Sequence, residues 1–144
     1  RDARWGRVME SIGGENPYLG EVYAKTIVRA YQGKNISDIG NLASCVKHIA
    51  AYGAIEAGRD YNTVDMSERE FRQYYLPAYK AAIEAGAEML MTSFNILNGI
   101  PITIILVDHI QKIIDMCQDI RIFQQRVFIR LDMVYLIVVL NMLI

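Results

Sequence analysis

The chain has 144 residues, 53% of them hydrophobic and 22% charged, with a formal net charge of -1. That is enough polymer for one domain with a real core. The near-neutral balance speaks against nucleic acid or an anionic membrane as partner, because either calls for a basic face. Its two cysteines, Cys45 and Cys117, form neither a disulfide framework nor a metal-ligand pattern, and Cys45 reads as a small buried hydrophobe.

The first segment, Arg1-Asp2-Ala3-Arg4-Trp5-Gly6-Arg7, sets three arginines around the only tryptophan. Guanidinium groups are rarely buried unpaired, so a core strand is unexpected here. The segment alone reads as a surface arginine stacked on Trp5. A loop whose arginine fork binds hydroxyls or a carboxylate is the functional alternative.

A helix is predicted next. Asn16 is a good N-cap, Pro17 suits the first turn and Gly33 supplies the stop. Leu19, Val22, Tyr23, Ile27, Ala30 and Tyr31 recur at helical spacing and make its expected packing face. A polar loop follows, then an apolar strand over residues 42–49 that ends in Lys47 and His48.

An apolar strand that delivers polar side chains at its C-terminal end is how parallel α/β folds build sites. Neighbouring strand residues point to opposite faces, so Lys47 and His48 reach one ligand only if the backbone between them is distorted. A strained or cis non-proline peptide at Lys47-His48 is therefore expected. Taken singly, a satisfied core histidine and a lysine snorkelling from a strand end are the commoner readings of such residues.

Beyond a polar loop carrying Glu56, Arg59, Asp60, Tyr61 and Asn62, Ser67 and Glu70 form a capping box, with Met66 and Phe71 placed as a hydrophobic staple. Pro77 predicts a break near Leu76, and a second helical piece runs to Gly86. Residues 87–94 read as a second buried strand ending in Asn95, Asn98, Gly99 and Pro101. Helix, strand, two-piece helix and strand with short connections is the α/β alternation, and right-handed crossovers make the strands parallel neighbours. Residues 104–120 fit an amphipathic helix. Residues 127–144 are dense in Val, Ile, Leu and Met, yet their longest apolar run is too short to span a bilayer. Left uncovered, that end is an aggregation hazard.

Four landmarks occur in a fixed order: the Arg1–Arg7 segment, Lys47-His48, the run from Gly58-Arg59-Asp60-Tyr61 through Ser67-Glu68-Arg69, and Met91-Thr92-Ser93-Phe94-Asn95 with Asn98-Gly99-Ile100-Pro101. Together they resemble glycoside hydrolase family 3, the β-glucosidase and β-xylosidase group, over residues 1–103. One departure is Gly13-Gly14-Glu15-Asn16-Pro17, where the family usually has one residue fewer and an Asp at the place of Asn16.

The resemblance implies a partial TIM (β/α)8 barrel with parallel strands and outer helices. Residues 1–103 would be a segment of the family's N-terminal barrel, and residues 104–144 a divergent apolar tail, out of register through a frameshift, a misread exon or a fusion. It further implies that Arg7, Lys47 and His48 bind hydroxyls of one glycosyl unit, and that Phe94 stands where many members place a Tyr near the reacting carbon. No cofactor or metal is implied, and the partner is a carbohydrate, a β-glucoside or oligosaccharide. Members are often periplasmic or secreted, though no segment of this chain reads out a compartment.

Family 3 enzymes are retaining, with an Asp nucleophile in a Ser-Asp pair after the Asn-Gly-Ile-Pro turn and a separate acid/base. Neither is found: Asp108, Asp115, Asp119 and Asp132 do not follow a Ser, and Ser37-Asp38 precedes the Lys-His strand. The expectation is a fragment of a retaining β-glucosidase, inactive and poorly folded alone, because a partial barrel leaves strand edges unpaired. The alternatives are a β-xylosidase of the same family, a non-catalytic carbohydrate-binding remnant, and an α/β fragment with no ligand. A β-N-acetylhexosaminidase is disfavoured, since Lys47-His48 continues as Ile-Ala-Ala-Tyr-Gly and not as a Pro-Gly-His stretch.

Overall fold

The computed structural model describes residues 2–105 and, beyond them, the backbone of two strands, Arg126–Asp132 and Tyr135–Asn141. The first regular element is α1, Pro17–Gln32. Its boundaries follow the local chemistry: the Asn16 side chain accepts the Leu19 N–H at 3.3 Å, and the Gly33 N–H donates to the Arg29 carbonyl.

The face it buries is not the one its large apolar residues suggest. Leu19, Val22, Tyr23 and Tyr31 are exposed, while Gly20, Val28 and Gln32 are buried. Close approach decides this. A Cβ on Gly20 would come within 3.3 Å of the Ala78 Cβ, so α1 lies against its neighbour along a row of small side chains. Val28, Ala82 and Ala87 form the core of that contact.

The neighbour is the two-piece helix. The Ser67 hydroxyl accepts the Glu70 N–H at 3.1 Å and opens α2, Glu68–Glu70. The chain then widens into a π turn over Phe71–Tyr75, with the Leu76 N–H reaching the Phe71 carbonyl at 3.1 Å. It resumes as α3, Pro77–Glu84. The expected break at Leu76 is there, and its cause is the proline, which offers no N–H to the preceding turn.

Strand β1, Cys45–Ile49, pairs in parallel with β3, Met89–Thr92, in the register Cys45↔Met89, Val46↔Leu90 and Lys47↔Met91. Both strands start later than the apolar runs suggest. Gln32 holds the two starts together: its buried amide accepts the N–H groups of Ser44 at 3.0 Å and Glu88 at 3.2 Å and donates to the Gly86 carbonyl at 2.6 Å. Helix spacing gives no hint of this role.

A second small sheet joins β2, Thr63–Val64, to β4, Ile96–Leu97, in parallel, and β4 to β5, Ile100–Pro101, as a hairpin. The hairpin turn is Asn98-Gly99, with φ of 49° and 83°, the positive values that a two-residue turn of this kind requires. The Asn98 amide also accepts the Met66 N–H and donates to the Met66 carbonyl, both at 3.0 Å.

The main sheet has the order β1-β3-β7-β6, where β6 is Arg126–Asp132 and β7 is Tyr135–Asn141. β7 runs antiparallel to β3 and to β6. The fold is α/β with a parallel core, as expected, and the tail, expected only to be divergent, adds antiparallel strands that make the sheet mixed. Their hydrogen-bonded pairing covers the outer edge of β3. The amphipathic helix expected over 104–120 falls, past residue 105, outside the described residues.

Candidate functional site

The C-terminal end of β1 is held by bonds from both a helix and a strand end. The Lys47-His48 peptide is cis, as the sequence reading expects, and so is Ile49-Ala50. The register with β3 shifts between Lys47 and Ile49. Three successive carbonyls are then tied down. Tyr79 donates its hydroxyl to His48 O at 2.7 Å, and Ser93 donates Oγ–H to Ile49 O at 3.1 Å and to Ala50 O at 3.2 Å. The Ser93 N–H adds a 2.7 Å bond to Ile49 O. With main chain fixed at both helix and sheet, the side chains of this turn have little freedom of aim.

That turn opens on a cavity of about 740 Å³ whose lining includes Arg7, Glu10, Lys47, His48, Trp5 and Tyr52. Arg7, Lys47 and His48, singled out from the sequence, are therefore brought to one space. Phe94 is not among the residues that line it; its ring lies against Tyr61, with centroids 5.6 Å apart.

The N-terminal segment reaches the cavity because it is stitched to the loop after β1. The Asp2 N–H donates to Gly53 O at 2.8 Å, and Trp5 Nε1–H donates to Asp60 Oδ1 at 2.8 Å. Gly58, with φ of +66°, sits so close that a Cβ there would come within 2.5 Å of the Arg4 and Trp5 backbone. Trp5 is buried, so the surface tryptophan expected from the segment alone is corrected: its ring meets Tyr52. Arg4 instead pairs with Asp2 at 2.7 Å, and that hydrogen-bonded pairing holds the Asp2 carboxyl at about 2.

Arg7 and Glu10 form a two-pronged ion pair, Nε to Oε1 at 2.8 Å and Nη2 to Oε2 at 2.6 Å. The pairing raises the Arg7 pKa and lowers that of Glu10. It engages Nε–H and one Nη2–H of the guanidinium and leaves the remaining N–H groups to point elsewhere.

His48 is half-buried. Burial first, then the Arg7 and Lys47 cations, pull its pKa below the ordinary 6.5. Its imidazole is thus neutral near pH 7 and presents one donor and one acceptor nitrogen. A hydroxyl group, itself both donor and acceptor, matches that pair. Cys45 is half-buried rather than fully so, and burial pushes its thiol upward, away from a reactive thiolate. Among the described residues no group of three or more His, Cys, Asp or Glu side chains is placed to hold a metal ion.

Sequence reasoning missed Glu10, Tyr52, Tyr79 and Ser93 as parts of this site. Glu10 lies three positions after Arg7, a spacing too common to single out. The others act through contacts that no local pattern announces.

Residues 1–107 match the model of the glycosyl hydrolase family 3 N-terminal domain. The periplasmic beta-glucosidase of Salmonella typhimurium is 48% identical over 103 residues, which is 72% of this chain and 13% of that protein. A beta-xylosidase of Formosa agariphila is 37% identical over 103 residues, 69% of this chain and 14% of that protein. Among solved structures, a beta-glucosidase from Listeria innocua in complex with gluconolactone superposes with a TM-score of 0.73 at 50% identity. The match covers 79% of this chain and 16% of that one. The chain thus spans about an eighth of the length of the curated relatives it matches.

Proposed function

The chain belongs to glycosyl hydrolase family 3 through its N-terminal domain, and we propose that it carries the hydroxyl-binding part of the glycosyl site of a retaining β-glucosidase. The observation behind this reading is the shared cavity, lined by Arg7 from the N-terminal segment and by Lys47 and His48 from β1. A neutral polyol needs several fixed donors and acceptors in a mostly apolar pocket. An oriented guanidinium, an ammonium and a neutral imidazole supply them. Contacts to ring hydroxyls of this kind can tighten as the sugar approaches an oxocarbenium-like transition state. Phe94 stays in the proposed set by resemblance alone, since it lies against Tyr61 and does not line this cavity.

On this reading residues 1–103 are a segment of a (β/α)8 barrel and residues 104–144 a divergent tail. The parent reaction is a two-step displacement through a covalent glycosyl-enzyme, with an Asp nucleophile and a separate acid/base. Within these 144 residues no serine occurs after Ser93, so no Ser-Asp pair follows the Asn-Gly-Ile-Pro turn. The chain alone therefore binds and does not cleave. A β-xylosidase is the second reading, supported by a relative of that name at 37% identity. Glucose and xylose differ by one hydroxymethyl group, which none of the three polar residues reads uniquely. The Salmonella relative's name supports a periplasmic or exported parent.

The test is an NMR titration of the full chain with D-glucose and, separately, D-xylose, following the Arg7 Nε–H and His48 ring resonances. Glucose is expected to move them and R7A to abolish the response, with no release from an aryl β-D-glucoside. Stronger shifts with xylose would favour the second reading. No shift with either sugar in large excess would overturn both.

A further inference from the structure

Tyr52 occupies a place that the sugar-contact list does not explain. It lies four positions past His48, is 6% exposed, and its ring is surrounded on three sides by groups of the site. The Trp5 ring meets it edge-on with centroids 5.0 Å apart and an interplanar angle of 73°. The His48 imidazole meets it in the same manner at 5.4 Å and 68°. The Arg7 guanidinium carbon stands 5.6 Å from the ring centroid, within the range where a cation is drawn to an aromatic face.

Behind these contacts is a brace. Asp60 accepts the Trp5 Nε1–H, and Gly58 lets the loop carrying Asp60 lie directly on the Trp5 backbone. Arg7 and Asp60 also both bear on the Tyr52 phenol, with opposite sign, after burial has pushed its pKa up.

We propose that Tyr52 is the positioning residue of this site: its ring is the common wall against which the Arg7 guanidinium and the His48 imidazole are set. The proposal rests on the glycosyl-binding reading for its consequence, though not for its geometry. Glu10 alone leaves Arg7 able to swing, because an exposed ion pair between long side chains orders them only weakly. The aromatic face adds the second restraint that fixes a guanidinium plane. For His48, an edge-to-face partner restricts ring rotation about χ2, a torsion that is otherwise broad. A plain core tyrosine would fill volume and do neither.

Two variants of the full chain separate these roles. Tyr52→Leu keeps apolar bulk and removes the aromatic face; Tyr52→Phe keeps the face and removes the hydroxyl. In Tyr52→Leu the Arg7 Nε–H and His48 ring resonances, assigned with R7A and H48Q, are expected to lose their ring-current shifts and broaden. Glucose binding is expected to weaken about three- to tenfold, the worth of one aromatic contact. Tyr52→Phe should restore both resonances to near their wild-type positions, which a purely volumetric role would not single out.

The proposal is overturned if Tyr52→Leu folds with the Arg7 and His48 resonances as dispersed as in the wild type, or if Tyr52→Phe disturbs them as much as Tyr52→Leu does. Should Tyr52→Leu not fold, the Phe variant decides alone: preserved resonances support the ring as the positioning element, and lost ones refute it. If the wild-type chain binds no glucose while Tyr52→Leu still moves the two resonances, the sugar reading fails and the positioning role stands.

Discussion

Strands β1 and β3 lie side by side and look alike in sequence, each a short apolar run that closes on polar residues. Their ends meet opposite fates. β1 presents Lys47, exposed, and His48, half-buried, to a cavity, whereas β3 ends in Thr92, Ser93 and Asn95 at 1%, 1% and 0% exposure. The buried end serves the open one: Ser93 holds the carbonyls of Ile49 and Ala50 that follow His48. Polar residues at a strand end therefore mark a place where polarity is needed. Whether it is needed for a ligand or for a neighbouring backbone is a matter of what packs over it.

The comparison breaks most severely if the wall behind the open end is removed. Trp5→Ala deletes a buried ring and its bond to Asp60, and should cost about 3–5 kcal/mol of stability. Since Trp5 is the only tryptophan, the loss is read by far-UV circular dichroism in urea instead of fluorescence. A midpoint that hardly moves would mean the N-terminal segment does not hold the turn.

Ser93→Ala strikes the link between the two ends. It takes the Ser93 donor from Ala50 O and leaves Ile49 O with the Ser93 N–H alone, an expected loss of about 1–3 kcal/mol. The same variant should shift the His48 resonances, although the Ser93 bonds go to the Ile49 and Ala50 carbonyls. Loss of stability with an unmoved His48 would reduce Ser93 to ordinary core packing.

Of the two strand ends, the open one carries the titratable group. The lowered His48 pKa means that the unfolded chain takes up a proton near pH 6.5 that the native state resists. Stability contributed by the neutral imidazole is present above 6.5 and is lost as pH falls toward the lowered native value. Arg7 and Lys47 deepen this loss, and Glu10 opposes it. Urea midpoints measured between about pH 7.5 and pH 5 should decline for the wild type and flatten in His48→Gln. An equal decline in both would assign the effect elsewhere.

The smallest effect is expected at the closed end. Thr92 Oγ1 is buried without a hydrogen-bond partner among the described residues. Thr92→Val removes that hydroxyl at constant shape, and should leave stability unchanged or raise it by about 1 kcal/mol. A clear loss would show that the hydroxyl is engaged, and that the two strand ends differ less than their exposure implies.

Much of this was legible in the chain because it depends on neighbours a few positions away. Asn16, Ser67 and Pro77 act on backbone groups within one helical turn, so the helix starts and the interruption near Leu76 follow from residue type and order. Local logic also foresaw the cis peptide at Lys47-His48, from the need to bring two consecutive strand residues to one ligand. The family landmarks placed Arg7, Lys47 and His48 in one site by resemblance, and the cavity brings them together. The expectations that failed turn on distance in space. The large apolar residues of α1 stay outside, because a row of small ones allows closer packing on α3. Trp5 goes inside, because the loop through Asp60 folds back over it. Gln32, Tyr52 and Ser93 take their roles from partners 40 or more positions away or from a turn that only the assembled sheet creates. Propensity and spacing act along the chain, whereas burial is granted by whichever surfaces close most tightly upon one another, and that choice is made only in three dimensions.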